Sequence, residues 1–256
     1  MKKLKDNVPL RIMKNNEWFA SWFDTKYYHL IYKNRNDAEA QVFIENLIKH
    51  LNLQKGSKVL DLACGKGRHS ITLNKLGFEV NGVDLSAKSI AAAKNHENES
   101  LRFFVRDMRD SNGENCFDAV FNLFTSFGYF DSTHDNEKVI ESVHNSLNQN
   151  GILVLDFMNT QRIIDTLVAS ETKEISGIQF DISRHYDGNH IFKTITFEDD
   201  GKEYEYTERV QALFLDNFTH ILKSNGFNIL STFGNFELDT FDAKTSDRLI
   251  LIAQKH

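Results

Sequence analysis

Near the start of the chain, Phe43, Ile44, Leu47, Ile48 and Leu51 recur at the spacing that makes one apolar helical face, and no glycine or proline interrupts Trp18 to Leu51. The pattern predicts a helical N-terminal cap over residues 1–55. Gly56-Ser57 then breaks it, and Lys58-Val-Leu-Asp-Leu62 follows as a short apolar run of the kind buried in parallel sheets. From there the periodicity alternates. Helices are predicted from about Arg68 to Leu76, Ala87 to Asn95 and Glu137 to Leu147, between strands at Phe78–Val83, Leu101–Val105, Phe117–Phe121 and Ile152–Asp156. Such repeated βα units argue for a mostly parallel, doubly wound, Rossmann-like α/β sheet covered on both faces.

Between Ile178 and Phe214 the pattern switches to near-alternation, with Phe180, Ile182, Phe192, Ile195, Phe197, Tyr204 and Tyr206 set among polar residues. Asp187-Gly188-Asn189 and Asp199-Asp200-Gly201 supply the turns. This predicts a three-stranded antiparallel flap, residues 175–214, inserted between two α/β segments, 56–174 and 215–256. A helix from Asn217 to Lys223, a stop at Gly226 and strands at Phe227–Phe233 and Leu249–Ala253 close the chain.

Composition changes this picture little: 41% hydrophobic, 26% charged and 12% aromatic is ordinary for a globular domain. The net charge of −6 gives no basic stripe for a phosphate backbone, so nucleic acid is not an expected partner. No apolar run reaches the roughly 18 residues of a membrane span, and the first 14 residues lack a signal-type apolar stretch. With Cys64 and Cys116 as the sole cysteines, a cytoplasmic protein without disulfide framework or zinc cluster is expected. The histidines His134, His185 and His190 fall in polar turns, and no residue spacing marks a metal site.

Candidate chemistry concentrates in Val59-Leu-Asp-Leu-Ala-Cys-Gly-Lys-Gly-Arg68, a strand running into a tight loop. Gly65 and Gly67 would let a ligand approach the backbone, although a Gly-x-Gly pair also serves purely structural turns. Three acids sharpen the reading, because Asp61, Asp84 and Asp107 end or follow successive strands and should gather at the carboxyl edge of the sheet. That cluster would repel a pyrophosphate but suits an ammonium, a sulfonium, ribose hydroxyls and an adenine amino group, the set carried by S-adenosylmethionine. A nicotinamide dinucleotide would also want a glycine or alanine where Ser70 stands.

Here the sequence resembles the class I S-adenosylmethionine-dependent methyltransferases, through the Asp-x-Ala-Cys-Gly-x-Gly loop, the acid closing the second strand and Arg106-Asp-Met-Arg109 after the third. The resemblance spans Lys58 to the end and implies a seven-stranded sheet. It implies that Asp61 meets the methionine amino end and that Ala63, Cys64, Gly65 and Gly67 pass beneath the cofactor. Asp84 would bind the ribose hydroxyls beside Leu85, Asp107 and Met108 would frame the adenine, and Asn122 and Leu123 would return to the methionine and ribose side.

Tyr28 and Tyr32, one helical turn apart, and Arg35 on nearly the same side would close the cap over the cofactor, or else dock the helix by an aromatic stripe. The stretch Asn122-Leu-Phe-Thr-Ser-Phe-Gly-Tyr-Phe130 resembles the loop of amino-sugar methyltransferases that carries an ionisable residue after a glycine. That residue is typically His, and here it is Tyr129, the candidate catalytic group. Phe124, Phe127 and Phe130 are read as packing, and Arg184 and Glu208 as flap residues that either meet the substrate or sit on a solvated face. The expected activity is methyl transfer to a small-molecule nitrogen or oxygen with S-adenosylhomocysteine as product, in a chain whose flap can also support a homodimer. The alternatives are a nicotinamide-dependent oxidoreductase and a non-catalytic S-adenosylmethionine sensor or partner-binding protein.

Overall fold

The computed structural model describes residues 18–32 and 37–256. The cap folds as α1 (Trp18–Trp22), α2 (Lys26–Ile31) and α3 (Asp37–Leu51), where the sequence pattern had suggested one helical run. The break has a local cause: Thr25 caps α2, its hydroxyl accepting from the Tyr28 N–H at 3.1 Å.

The α/β core follows as β1 (Lys58–Leu62), α4 (Arg68–Lys75), β2 (Glu79–Asp84), α5 (Ala87–Ala93), β3 (Leu101–Val105), β4 (Phe117–Asn122), α6 (Thr133–Ser146), β5 (Leu147–Met158) and α7 (Thr160–Asp165). The flap comprises β6 (Ser170–Ile175), β7 (Ile178–Tyr186), β8 (His190–Asp199) and β9 (Lys202–Gln211). After it come α8 (Leu215–Ser224), β10 (Phe227–Phe233) and β11 (Arg248–Lys255). The seven-stranded sheet has the order β10-β11-β5-β4-β1-β2-β3, parallel except where β11 pairs with β5 and β10. The chain winds outward from β1 to β3 and then returns to β4 beside β1, so the carboxyl ends of β1 and β4 flank the switch point where open α/β sheets bind ligands.

Alternate strand residues divide the core into two layers. Leu60, Leu62 and Val120 face α6 and α8 through Val139, Val143, Phe218 and Leu222, while Val59, Ala119 and Phe121 face α3, α4 and α5 through Phe43, Leu47, Leu73 and Ile90. A third cluster joins Trp22 and Tyr27 of the cap to Phe180, Ile182, Ile195 and Phe197 of the flap.

The flap carries four strands rather than three, because β6 pairs antiparallel with β7 in front of the expected meander. As an edge strand, Ser-Glu-Thr-Lys-Glu-Ile buries no residue fully and so shows no apolar alternation. Its turn to β7 is tight: Ser176 and Gly177 both take left-handed backbone, as a two-residue hairpin demands. Among the described residues no helix is long and apolar enough to cross a membrane.

Candidate active site

Beyond β1 the backbone turns left-handed at Ala63, Gly65 and Gly67 before entering α4. Two strand-end contacts hold this turn, the Cys64 N–H donating to the Val83 carbonyl at 2.9 Å and the Gly65 N–H to Asp84 Oδ2 at 2.8 Å. The two glycines do different work. A Cβ on Gly65 would meet nothing within 4 Å, whereas one on Gly67 would stand 2.6 Å from the Phe103 ring. Gly67 allows the loop to press against β3 and does not line the cavity.

The three carboxylates also differ. Asp61 is buried and accepts from the Ser70 hydroxyl at 2.5 Å, so the residue that departs from the dinucleotide pattern is the one that holds this acid. Burial pushes the Asp61 carboxyl from 3.8 up to about 6, against the lowering pull of Ser70. Asp84 is likewise raised by burial, opposed by the Ser86 and Gly65 N–H groups that donate to its two oxygens. Asp107 instead pairs with Arg109, whose Nη2 lies 2.5 Å and Nε 2.9 Å from its oxygens. That guanidinium also reaches Asp135 at 3.5 Å and covers the Phe130 ring at 4.4 Å. Asp107 therefore walls the cavity with its charge already matched.

These residues surround a cavity of about 370 Å³. Of the expected cofactor residues, Asp61, Ala63, Cys64, Gly65, Asp84, Leu85, Asp107, Met108, Leu123, Tyr28 and Tyr32 line it; Tyr129 also borders it. Asn122 does not. Its side chain lies within the sheet, Nδ2 donating to the Leu62 carbonyl at 2.9 Å, and its Oδ1 is buried without a donor among the described residues. Arg35 lies outside the described residues. The cavity also takes in Ser126 of the aromatic stretch, and Arg68, His69 and Ser86, which pattern reading had passed over because they sit within helices and turns of ordinary composition.

A second chamber of about 580 Å³ adjoins the first. Phe23, Tyr28, Tyr32, Phe124 and Tyr129 belong to both walls, and Trp18, Met158, Glu208, Glu237 and Arg248 only to the second. The shared aromatics form a chain of ring contacts: Tyr129 lies 5.3 Å from Trp18 and 5.5 Å from Phe23, Phe23 lies 4.8 Å from Tyr28, and Tyr28 lies 4.8 Å from Tyr32. Glu208 of β9 fixes the cap against the flap by accepting from Trp22 Nε1 at 2.7 Å and the Tyr32 hydroxyl at 2.8 Å, with Lys193 Nζ 3.7 Å away. Arg184 stays within the flap, paired with Glu171.

Two further contacts position the loop that bears Tyr129. Gln211, at the end of β9, donates its backbone N–H to the Gly128 carbonyl and its Nε2 to the Phe130 carbonyl, each at 2.8 Å, and so grips the chain on both sides of Tyr129. Phe124 and Thr125 are consecutive non-glycine residues in left-handed backbone. Such strain persists only where the surroundings over-determine it. Here Asp156, fully buried in β5, accepts from the Phe124 N–H at 2.8 Å on Oδ2, and its carbonyl accepts from the Thr125 N–H at 3.0 Å.

The model of the methyltransferase domain family matches residues 53–226. The chain belongs to that family. This methyltransferase is 28% identical over 235 residues to a glycine/sarcosine N-methyltransferase of Aphanothece halophytica, a match covering 86% of the chain and 83% of the relative. In fold it resembles an S-adenosylmethionine-dependent methyltransferase from Clostridium acetobutylicum, with TM-score 0.76, 20% identity, and 90% and 96% of the two chains covered. It also resembles CalS10, an amino pentose methyltransferase from Micromonospora echinaspora, with TM-score 0.69, 18% identity, and 91% and 98% covered.

S-adenosylmethionine fits the first cavity on observations of this structure. Asp61 is a buried carboxylate on the cavity wall with the Ser70 hydroxyl as a donor; Asp84 keeps acceptor capacity beyond its two backbone donors; and the Gly65 loop leaves open space above its backbone.

Proposed function

We propose that this methyltransferase moves the methyl group of S-adenosylmethionine to the nitrogen of a small amine held in the second chamber. The observation that carries the reading is the common wall: two chambers, one lined by strand-end carboxylates and the other by Glu208 and Glu237, meet at Phe23, Tyr28, Tyr32, Phe124 and Tyr129. The relative named glycine/sarcosine N-methyltransferase supports nitrogen as the acceptor atom. Two unpaired cysteines fit a reducing, cytoplasmic setting.

When bound, S-adenosylmethionine supplies a methyl group on a positively charged sulfur, already a good leaving group. The residues of the chain then have three tasks. Asp61 neutralises the ammonium of the methionine end, Asp84 accepts from the ribose hydroxyls, and Met108 with the Asp107–Arg109 pair borders the adenine. The aromatic wall excludes water and stabilises a nearby cation through its ring faces. Tyr129, gripped by Gln211, orients the nucleophile across the wall, and holding it in line with the methyl contributes up to about 7 to 11 kcal/mol in favourable cases. No base of high strength is needed once the amine arrives neutral. A pyrophosphate would meet buried Asp61 and Asp84, which disfavours the nicotinamide alternative.

Calorimetric titration with S-adenosylmethionine, S-adenosylhomocysteine and NAD, followed by a methylation screen of small amines and alcohols, tests the reading. Saturable binding of the first two, lost in Asp84→Asn, with transfer to amines is expected. NAD binding alone would overturn it, and methylation confined to alcohols would overturn the choice of nitrogen.

A further inference from the structure

The methionine end of S-adenosylmethionine is a zwitterion. Its ammonium and its carboxylate are borne on one carbon, so a cavity that seats the first against Asp61 must seat the second close by. There the carboxylate would lie near the acids of two adjoining strands, Asp61 and Asp84. Like charges in a water-poor cavity oppose one another, so the carboxylate needs a cation of its own.

Among the described residues three cationic side chains, Lys66, Arg68 and Arg106, line the cavity. Arg106 stands just past β3, where its Nη1 donates to the Ser111 carbonyl at 2.5 Å and Asp110 is the acid that acts on it. Lys66 is exposed on the glycine loop, and its charge acts on His29 of the cap. Arg68 is the cation that acts on Asp61, drawing its carboxyl down against the effect of burial. The chain explains this placement. Arg68 opens α4 two residues before Ser70, whose hydroxyl donates to Asp61 at 2.5 Å, so one turn of helix supplies both a donor to the acid and a positive charge near it. The N-terminal end of α4 adds its dipole in the same sense.

The side chain is also supported. Its guanidinium carbon lies 4.5 Å from the centre of the Phe124 ring, and its Nη2 is 3.4 Å from Nε2 of buried His69, whose own ring stacks on Phe124 at 5.0 Å. Phe124 is held in left-handed backbone by Asp156, and Phe236 stacks on it at 5.4 Å. Such a platform restrains a long side chain before any ligand arrives, which lowers the entropy lost on binding. It also accounts for the strain at Phe124, whose ring must stand in the wall common to both chambers and against the guanidinium at once.

We propose that Arg68 binds the carboxylate of the cofactor's methionine end, and that the strained Phe124 turn is the platform that keeps it in place. The cavity then recognises an amino acid as well as a nucleoside. A thioether nucleoside without the carboxylate binds weakly, because it brings no anion to offset the guanidinium's lost hydration. The inference rests on S-adenosylmethionine occupying the first cavity, and it is independent of the identity of the acceptor.

The test is calorimetric titration of the whole protein with S-adenosylhomocysteine, with its decarboxylated analogue, which keeps the amine, and with 5′-methylthioadenosine, which has neither group. Wild type, Arg68→Met, Arg68→Gln and Arg68→Lys are compared, with thermal unfolding of each ligand-free protein as the check on folding. Wild type is expected to bind S-adenosylhomocysteine on the order of 30-fold more tightly than the decarboxylated analogue. In Arg68→Met and Arg68→Gln that preference should collapse through loss of S-adenosylhomocysteine affinity alone, the two ligands without a carboxylate binding as they do to wild type. Arg68→Lys should restore part of it. A residue that merely shapes the loop would weaken all three ligands alike, and that result overturns the proposal. So does equal binding of S-adenosylhomocysteine and its decarboxylated analogue by wild type, or a preference that survives in Arg68→Met and so assigns the carboxylate to another cation. Failure of both Arg68→Met and Arg68→Gln to fold would make Arg68 a residue of the fold and overturn it as well. Failure of wild type to bind S-adenosylhomocysteine at all would bring down the cofactor assignment itself, and this inference with it.

Discussion

The two chambers share a wall but are built in different ways. The cofactor chamber draws on Asp61 and Ala63 to Gly65, on Asp84 to Ser86 and on Arg106 to Met108, each set at the end of one of three adjoining parallel strands and locked by hydrogen bonds to the next. The acceptor chamber draws on residues around 18–32, 124–129, 158, 208–210 and 235–248, brought together from the cap, the flap and the last antiparallel strands. The first is a property of consecutive βα units and the second a property of how distant pieces dock. Cofactor binding should therefore be robust to changes in the flap, and acceptor selection should not be.

The largest effects should separate two glycines of the cofactor loop. Gly67→Ala places a methyl group against Phe103 in left-handed backbone and should cost about 3 kcal/mol of stability. Gly65→Ala, with open space around it, should cost about 1 kcal/mol while weakening S-adenosylhomocysteine binding roughly tenfold. Thermal unfolding with and without the ligand reads both, and equal stability losses would merge the two roles.

Asp61 comes next. Its folded carboxyl titrates near 6 instead of 3.8, so the ligand-free fold binds this proton more tightly than the unfolded chain does. Stability from this group is full below about pH 4 and is lost as pH rises toward 6, and Asp61→Asn should recover up to about 3 kcal/mol at pH 8 in the ligand-free protein. Ligand binding has the opposite sense, because a methionine ammonium needs the ionised acid. Affinity for S-adenosylhomocysteine should fall about tenfold per pH unit below pH 6 in wild type and stay flat in Asp61→Asn. A flat wild-type profile would remove Asp61 from the ammonium site.

On the acceptor side, Glu208→Gln weakens the tie between flap and cap, and a roughly tenfold drop in kcat/KM for the acceptor is expected with S-adenosylhomocysteine affinity unchanged. An equal loss in both would show that the flap governs the cofactor chamber as well. The smallest effect should come from Tyr129→Phe, a drop in kcat of about fivefold, since the ring and its contacts remain and only the orienting hydroxyl goes.

The sequence by itself determined the parallel sheet, the glycine turn and the order of the three strand-end acids, because each depends on periodicity and turn chemistry within a few residues. It determined the flap's alternation too, but not its edge strand β6, whose solvated faces leave no periodic trace. Only the tertiary structure decided which acids have partners. Asp107 finds Arg109 two residues on, through a turn whose geometry no pattern reports, and Ser70 reaches back across the loop to Asp61. It likewise took Asn122 out of the cavity and into a bond with Leu62, and brought Glu208 and Arg248 to one chamber, with Arg248 held from behind by buried Asp156. Those contacts join residues up to 186 positions apart, and their geometry follows from how the cap, flap and sheet pack together, which no local pattern encodes.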